Sequence, residues 1–161
     1  MKVRPTLLAA LMAAVTMTAV AAAGHEAAKQ RVAISSKLFP ERTFVLTRFT
    51  GGALKGDSGK VTIDYDERRS LMREGQEVTI YDATHTLVGK RGTLTIRERI
   101  EWVVVSNENT AYGYPPGVGL STWKVVRGTG QYTRVSGGGR GAHAGLGKPW
   151  LARQEGYLTV P

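Results

Sequence analysis

Apolar and polar residues alternate strictly along residues 93–105, and this period of two constrains the fold more than any other feature of the chain. One face of the segment is apolar, with Leu94, Ile96, Ile100, Trp102 and Val104. Because successive side chains of a strand point to opposite faces, the pattern predicts a strand with one buried face. Shorter stretches from residue 43 onward repeat it, and no segment keeps a helical period of 3.6 for three turns.

Glycine-rich breaks separate these stretches at fairly regular spacing, at residues 51–52, 56–59, 74–75, 89–92 and 113–119. Many short strands with one buried face need their edges hidden. Residues 42–161 are therefore predicted to form one all-β domain, a single antiparallel β-barrel of about eight strands. Residues 24–41 show no sustained period and are predicted to be a flexible lead-in.

The first 23 residues have the composition of a cleavable signal peptide. Lys2 and Arg4 precede an uncharged apolar run from Thr6 to Val20, and residues 21–23 are three alanines. The run is shorter than the roughly 20 residues that span a bilayer. We therefore expect export by the general secretory route, a secreted or periplasmic location, and no membrane span after cleavage.

Composition excludes several kinds of chemistry. The chain has no cysteine, which rules out disulfides, a thiol nucleophile and a thiolate metal site. His25, His85 and His143 have no ligand spacing, so we predict neither a metal nor a cofactor, and a solvated His85 near a turn. Residues 56–59, Gly-Asp-Ser-Gly, match the nucleophile segment of trypsin-like proteases but are predicted to form a tight turn. The net charge of +9 is scattered among apolar positions, which favours a solvated basic exterior over a specific nucleic-acid site.

Glu98 is the most informative polar residue, because it lies on the apolar face between Ile96 and Ile100. A regular strand would point it inward, where a carboxylate in an apolar cavity has a raised pKa and serves as a proton donor or base. A bulge, or a position at the barrel mouth, would instead bring it to water. Asp82 and Arg48 share the inward parity of their own strands. An inward Glu98–Arg48 ion pair would fit a structural role as readily as a catalytic one.

Aromatic residues are the candidates for lining a ligand cavity, although such residues are also typical of a core. They are Tyr65, Trp102, Tyr112, Tyr114, Trp123 and Tyr132. The segment 106–120 is too long for a tight hairpin, and a loop of this length is typical of a lid or a binding loop.

Residues 121–141 carry a resemblance to a known family. Gly128-Thr129-Gly130 is followed by Tyr132 and then by three glycines at 137–139. Gly128 and Gly130 would permit close backbone approach or positive φ, leaving Tyr132 free to plug one end of a barrel. The segment resembles the Gly-Thr/Ser-Gly-x-aromatic signature of the allene oxide cyclase and dirigent barrel superfamily, which includes small exported bacterial relatives.

The resemblance implies an eight-stranded, calycin-like antiparallel barrel with an apolar central cavity. Members of the superfamily steer the cyclisation or coupling of reactive small molecules. The match is to a structural turn, so no catalytic set is carried over to this chain.

Three functions remain open at this point. The leading one is an exported barrel that binds a small apolar molecule. The second is a cofactor-free cyclase or isomerase that uses Glu98, with Arg48 or Asp82. The third is an envelope-associated interaction protein with a filled barrel, whose binding to anionic polymers would weaken with salt. An interior cavity would separate the first two from the third. Glu98→Gln should spare simple binding and abolish proton-transfer catalysis.

Overall fold

The computed structural model describes residues 28–39, 42–52, 54–106, 108, 115–146 and 149–161, without the side chains of residues 39 and 42–48. The predicted signal peptide lies outside these residues. The elements are β1 Ala28–Phe39, β2 Arg42–Thr50, β3 Ser58–Arg73, β4 Gln76–Gly89, β5 Gly92–Val104, β6 Gly117–Gly128, a 3-10 turn Gly130–Tyr132, β7 Ser136–Gly145 and β8 Trp150–Val160.

Each strand pairs antiparallel with the next one, and β8 pairs with β1, so the strand order closes into a ring. The predicted all-β architecture with eight antiparallel strands is thereby confirmed. Within the described ranges, no helix has the length and apolar character needed to cross a membrane.

The start of the domain differs from the sequence prediction. Residues 24–41 were expected to be a lead-in, yet Ala28–Phe39 forms β1 and pairs with both β2 and β8. Val32, Ile34 and Ser36 are buried, and the residues between them are more exposed. This is again a period of two, which the short stretch and the serine at an inward position concealed.

The ladder between β2 and β3 is the shortest in the ring. It runs from Arg48↔Ser58 to Leu46↔Lys60, whereas β3 pairs with β4 along its whole length to Arg73↔Gln76. Beyond Lys60, β3 therefore pairs with β4 but no longer with β2 among the described pairings. We call the side of the barrel between residues 42–45 and residues 61–65 the seam.

The two ends of the barrel are built differently. The β1–β2, β3–β4, β5–β6 and β7–β8 connections lie at one end, which we call the loop end. The opposite end, the closed end, is filled by a buried cluster of Val32, Ile34, Phe49, Leu54, Val61, Leu87, Leu94, Ile96, Trp123, Tyr132, Val135 and Leu158. Burial of this much apolar surface is the main stabilising contribution to such a fold.

A buried carboxylate ties the closed end together. Asp57 accepts hydrogen bonds from the Tyr132 hydroxyl and from the backbone N–H groups of Ser58, Lys90 and Arg91, at 2.9, 3.1 and 3.4 Å for the three N–H groups. Burial pushes the pKa of Asp57 upward, but these donors outweigh it and lower the pKa below its ordinary value. Asp57 thus links the turns that follow β2, β4 and β6.

The glycines before Tyr132 permit this arrangement. A Cβ atom on Gly128 would lie 1.9 Å from the Tyr132 carbonyl oxygen, and Gly130 has a φ of +60°. Any larger residue at 128 would collide with the turn, and an L side chain at 130 would be strained. The predicted plugging of one barrel end by Tyr132 is confirmed.

Candidate functional site

Glu98 points into the barrel, as its sequence parity predicts. It lies on β5 between the buried Ile96 and Ile100 and is itself 1% exposed. The β5–β6 register shift falls between Thr95 and Ile96, and the pairing is regular from Ile96 through Glu98 and beyond. The bulge that would have turned Glu98 outward is therefore absent at this position.

Four other side chains surround the Glu98 carboxylate. The Ser121 hydroxyl donates to Oε1 at 2.5 Å, and Gln154 Nε2 donates to Oε2 at 3.1 Å and to Oε1 at 3.3 Å. His143 Nε2 lies 3.0 Å from Oε1 and 3.2 Å from the Ser121 hydroxyl. His85 Nε2 lies 3.1 Å from Oε2. We call these five residues the Glu98 cluster.

Five successive strands supply this cluster, one residue each from β4 to β8. The neighbouring position on β7 has to be small. A Cβ atom on Gly141 would lie 2.4 Å from the Ser121 hydroxyl and 3.0 Å from Glu98 Oε1. The glycine-rich sequence of β7 therefore provides the room in which the polar side chains meet.

Two buried polar atoms of the cluster have no hydrogen-bond partner among the described residues: His85 Nε2 and Gln154 Oε1. His85 Nε2 is at ion-pair distance from Glu98, but the geometry is not that of a hydrogen bond. An unpaired buried polar group costs about 1–3 kcal/mol. Such atoms usually bind an ordered water or a ligand group.

The cluster keeps Glu98 ionised and His85 neutral. Burial pushes the pKa of Glu98 upward, but the hydrogen bonds of His143 and Ser121, together with the positive charge that His143 and His85 carry when protonated, lower it below 4.5. The sequence had predicted a raised pKa, because it did not reveal these partners. Burial lowers the pKa of His85 below 6.5, and His143 adds to this effect while the Glu98 charge opposes it.

These shifts predict that acid destabilises the protein. The folded state binds fewer protons than the unfolded chain below the ordinary pKa of His85, 6.5, and again near the ordinary value of Glu98, 4.5. The free energy of unfolding should therefore fall as the pH drops through each value. Urea unfolding of the wild type and of His85→Gln between neutral pH and pH 4 tests this. In His85→Gln the free energy of unfolding should no longer fall as the pH drops through 6.5, but it should still fall near pH 4.5. If it depends on pH in the same way in both proteins, the shift assigned to His85 is wrong.

The arrangement does not match a nucleophilic triad. In such a triad the carboxylate and the hydroxyl bind opposite nitrogens of the histidine ring. Here Glu98 and Ser121 both lie against Nε2 of His143. In the part of the chain that the structure describes, no group of histidines and carboxylates is arranged to hold a metal ion. The cluster is suited to hydrogen bonding and to proton transfer.

The seam brings two tyrosines close to the cluster. Tyr65 pairs with Ala83, which pairs in turn with Glu98. Tyr65 is 54% exposed, and its ring centroid lies 5.4 Å from that of Tyr81. Partial burial, followed by Tyr81 and the charge of Glu98, raises the pKa of Tyr65. Tyr65 thus lies on the side of the barrel where the β2–β3 ladder has ended, close enough to Glu98 for the carboxylate charge to affect its pKa.

A pair of tryptophans lies at the loop end. Trp102 stacks on Trp150 with ring centroids 5.8 Å apart and an interplanar angle of 26°. Added Cβ atoms on Gly117 and Gly145 would lie 2.4 and 2.8 Å from Trp102 ring atoms. Both tryptophans are only partly buried.

The remaining aromatic candidates separate into two groups. Trp123 is 4% exposed, belongs to the closed-end cluster, and donates from Nε1 toward the carbonyls of Arg140 and Glu155 at 3.2 and 3.3 Å. Tyr132 is held by Asp57. Both are core residues in this structure. Tyr112 and Tyr114 lie outside the described residues. Residues 117–120, which were predicted to belong to the 106–120 loop, form the start of β6 instead.

Asp82 does not accompany Glu98, which corrects the expectation from parity. It pairs across the ladder with Arg99, on the outward face, and its Oδ2 lies 3.7 Å from Arg69 Nη1. β4 pairs with β5 without a register shift, so Val78, Ile80 and Asp82 share one face, opposite to the inward Ala83 and His85. Apolar residues at 78 and 80 therefore do not mark the inward face, since residues 78–80 are all buried. The Arg48 side chain lies outside the described part, and its predicted pairing with Glu98 stays a prediction.

The sequence reasoning missed both histidines of the cluster. His85 was expected to be solvated near a turn, yet it is 5% exposed in the middle of β4. The alternation of Ala83, His85 and Leu87 with threonines carried this signal. His143 lies among glycines and alanines, where no apolar pattern identifies an inward face.

A half-open cleft of about 790 Å³ is found on the outer face of the barrel. Its walls include Arg97, Arg99, Thr122 and Lys124, all exposed and alternating with inward residues of β5 and β6. This cleft is therefore distinct from the predicted interior cavity.

Comparison with models of protein families, with curated proteins and with solved structures finds no match to this chain.

Proposed function

We propose that this protein is an exported barrel that binds a small molecule in the loop-end half of its interior. The polar group of the ligand would contact the Glu98 cluster, and its apolar part would contact Tyr65, Trp102 and Trp150. The observation that carries the proposal is the pair of unpartnered buried atoms, His85 Nε2 and Gln154 Oε1, beside a buried carboxylate.

The cluster favours a ligand that donates hydrogen bonds. Gln154 Oε1 and the Glu98 carboxylate are acceptors, and a neutral His85 Nε2 donates or accepts according to its tautomer. A hydroxyl group satisfies this set, because it donates one hydrogen bond and accepts others. An alcohol, phenol or enol with an apolar body is thus the ligand class that this site fits.

We also propose a specific barrel type and a location for the protein. The Gly128–Tyr132 turn supports a calycin-like barrel of the allene oxide cyclase and dirigent type. The composition of residues 1–23 supports secretion into the periplasm or the medium.

Native mass spectrometry of mature protein recovered from its own secretion route tests the binding function. We expect extra mass that disappears on denaturation and that is reduced in Gln154→Ala but kept in Asp82→Asn. The second variant is the control, because Asp82 is a carboxylate on the outer face. A bare protein mass, with no rise in unfolding temperature on adding an organic extract of the producing cells, would contradict the proposal.

A cofactor-free isomerase or cyclase is the second candidate, and one specific observation favours it. Oε1 of the ionised Glu98 is shared by the Ser121 hydroxyl and by His143. A buried base with a hydroxyl and an imidazole against the same oxygen is suited to removing a proton from a bound molecule and returning it elsewhere.

Glu98→Gln separates the two candidates, since the amide keeps the size of the side chain but cannot act as a base. An isomerase changes the structure of its substrate without changing its mass. Ligands released from wild type and from Glu98→Gln should therefore be compared by chromatography. Different isomers from the two proteins would establish catalysis, whereas the same compound from both would leave a binding function alone.

A further inference from the structure

The outer cleft has one basic wall. Arg97 and Arg99 on β5 and Lys124 on β6 line it, together with the hydroxyl-bearing Thr122. Arg97 pairs directly across the ladder with Lys124, and Arg99 with Thr122. Like charges directly opposite on neighbouring strands are destabilising. The fold therefore maintains a concentration of positive charge that strand pairing alone disfavours.

The acidic residues of the cleft have other partners. Asp66 accepts from the Thr84 hydroxyl at 2.8 Å and lies 3.8 Å from Arg97. Glu67 and Asp82 lie 2.8 and 3.7 Å from Arg69 Nη1.

Two basic groups remain without a carboxylate. Among the described residues, no carboxylate group lies within 4 Å of the charged group of Arg99 or of Lys124. Asp82 is the cross-strand neighbour of Arg99. Glu98 also belongs to the cleft lining, but its carboxylate is held in the interior by the cluster. The basic wall thus has two cations available to a ligand.

We propose that this cleft binds a phosphate group. Residues with guanidinium, ammonium and hydroxyl donors line it, and arginine recognises phosphate oxygens through paired hydrogen bonds. A cleft of about 790 Å³ has the size of a small-molecule site. The inference does not rest on the interior function, because the basic wall faces away from the Glu98 cluster.

Inorganic pyrophosphate is the first probe, with binding followed by backbone amide shifts of the labelled mature protein. We expect shifts centred on Arg97, Arg99, Thr122 and Lys124. Lys124→Glu places a carboxylate opposite Arg97, so the affinity should fall by about tenfold or more while the unfolding temperature stays equal or rises. That second readout separates lost binding from lost folding.

Lys55→Glu is the matched control, since it makes the same change of charge at the exposed Lys55, outside the cleft lining. Its affinity should change by no more than about twofold. Equal weakening in both variants, or shifts spread over the whole surface, would overturn the site.

Vesicles distinguish the source of the phosphate group. Binding to phosphatidylglycerol but not phosphatidylcholine vesicles, lost in Lys124→Glu, would identify a lipid headgroup. Binding of pyrophosphate without vesicle binding would identify a soluble phosphate ester. Failure of the wild type to bind either probe would overturn the proposal.

Discussion

Replacing Glu98 by alanine should lower the free energy of unfolding by about 3–5 kcal/mol, because it leaves several buried polar groups without their acceptor and opens a cavity. Ser121, His143 and Gln154 would each lose the oxygen they contact. Each would remain buried or nearly so, since the Glu98 carboxylate lies in the interior of the barrel. Urea unfolding measures the loss, and Glu98→Gln gives a graded comparison in case the alanine variant does not fold.

Glu98→Gln should cost about 1–3 kcal/mol, because its amide keeps one oxygen but turns an N–H₂ group toward existing donors. Asp82→Asn is the control and should change stability by less than about 0.5 kcal/mol. A loss below about 1 kcal/mol in Glu98→Ala would show that the carboxylate is not buried in this network.

Tyr132→Ala is the second substitution with a large expected effect, again about 3–5 kcal/mol. Tyr132 is 1% exposed, packs against Phe49 with ring centroids 5.6 Å apart, and donates to the buried Asp57. Removing the ring would leave a cavity in the closed-end core and take one donor from the carboxylate. Thermal or urea unfolding of the mature protein measures the effect.

Tyr132→Phe isolates the hydrogen bond from the packing and should cost about 1.5–3 kcal/mol, the range for bonds to charged groups. Tyr157→Phe removes a hydroxyl from a tyrosine that is 47% exposed and should change stability by less than about 0.5 kcal/mol. If Tyr132→Phe is as stable as wild type, the Asp57–Tyr132 bond does not hold the closed end together.

The interior of the barrel is divided along its axis. The closed end buries aliphatic and aromatic side chains around Tyr132, and the next layers toward the loop end hold a carboxylate, two histidines, a hydroxyl and an amide. A polar network of this kind needs every member paired. His85 Nε2 and Gln154 Oε1, which have no hydrogen-bond partner among the described residues, are the two atoms at which we propose that the ligand binds.

Local alternation predicted the strands whose two faces differ clearly. Residues 93–105 show this best, because charged and apolar residues occupy opposite faces and Glu98 stands out on the wrong one. β1 was missed because its inward positions include a serine, and Asp82 was misplaced because Val78 and Ile80, the apolar residues that share its face, lie opposite to the inward Ala83 and His85. Periodicity identifies a face only where that face is uniformly apolar.

The Glu98 cluster could not be predicted from spacing. Its residues are far apart in the sequence; Glu98 and Gln154, for example, are separated by 56 positions. Only the ring of strand pairings brings them to one level of the barrel. Conversely, the Gly128–Tyr132 turn was predictable, because the close contact that excludes a side chain at Gly128 is with Tyr132, four residues further on. The sequence therefore reveals local turns and strands, and not the polar network that distant strands assemble.

A crystal structure of the protein, purified from the cells that produce it without denaturation, tests the central claim most directly. We expect a bound molecule in the loop-end half, with a polar atom within hydrogen-bond distance of Gln154 Oε1 or His85 Nε2. An interior closed by protein side chains up to the loop end, with both atoms satisfied by protein groups, would contradict the claim.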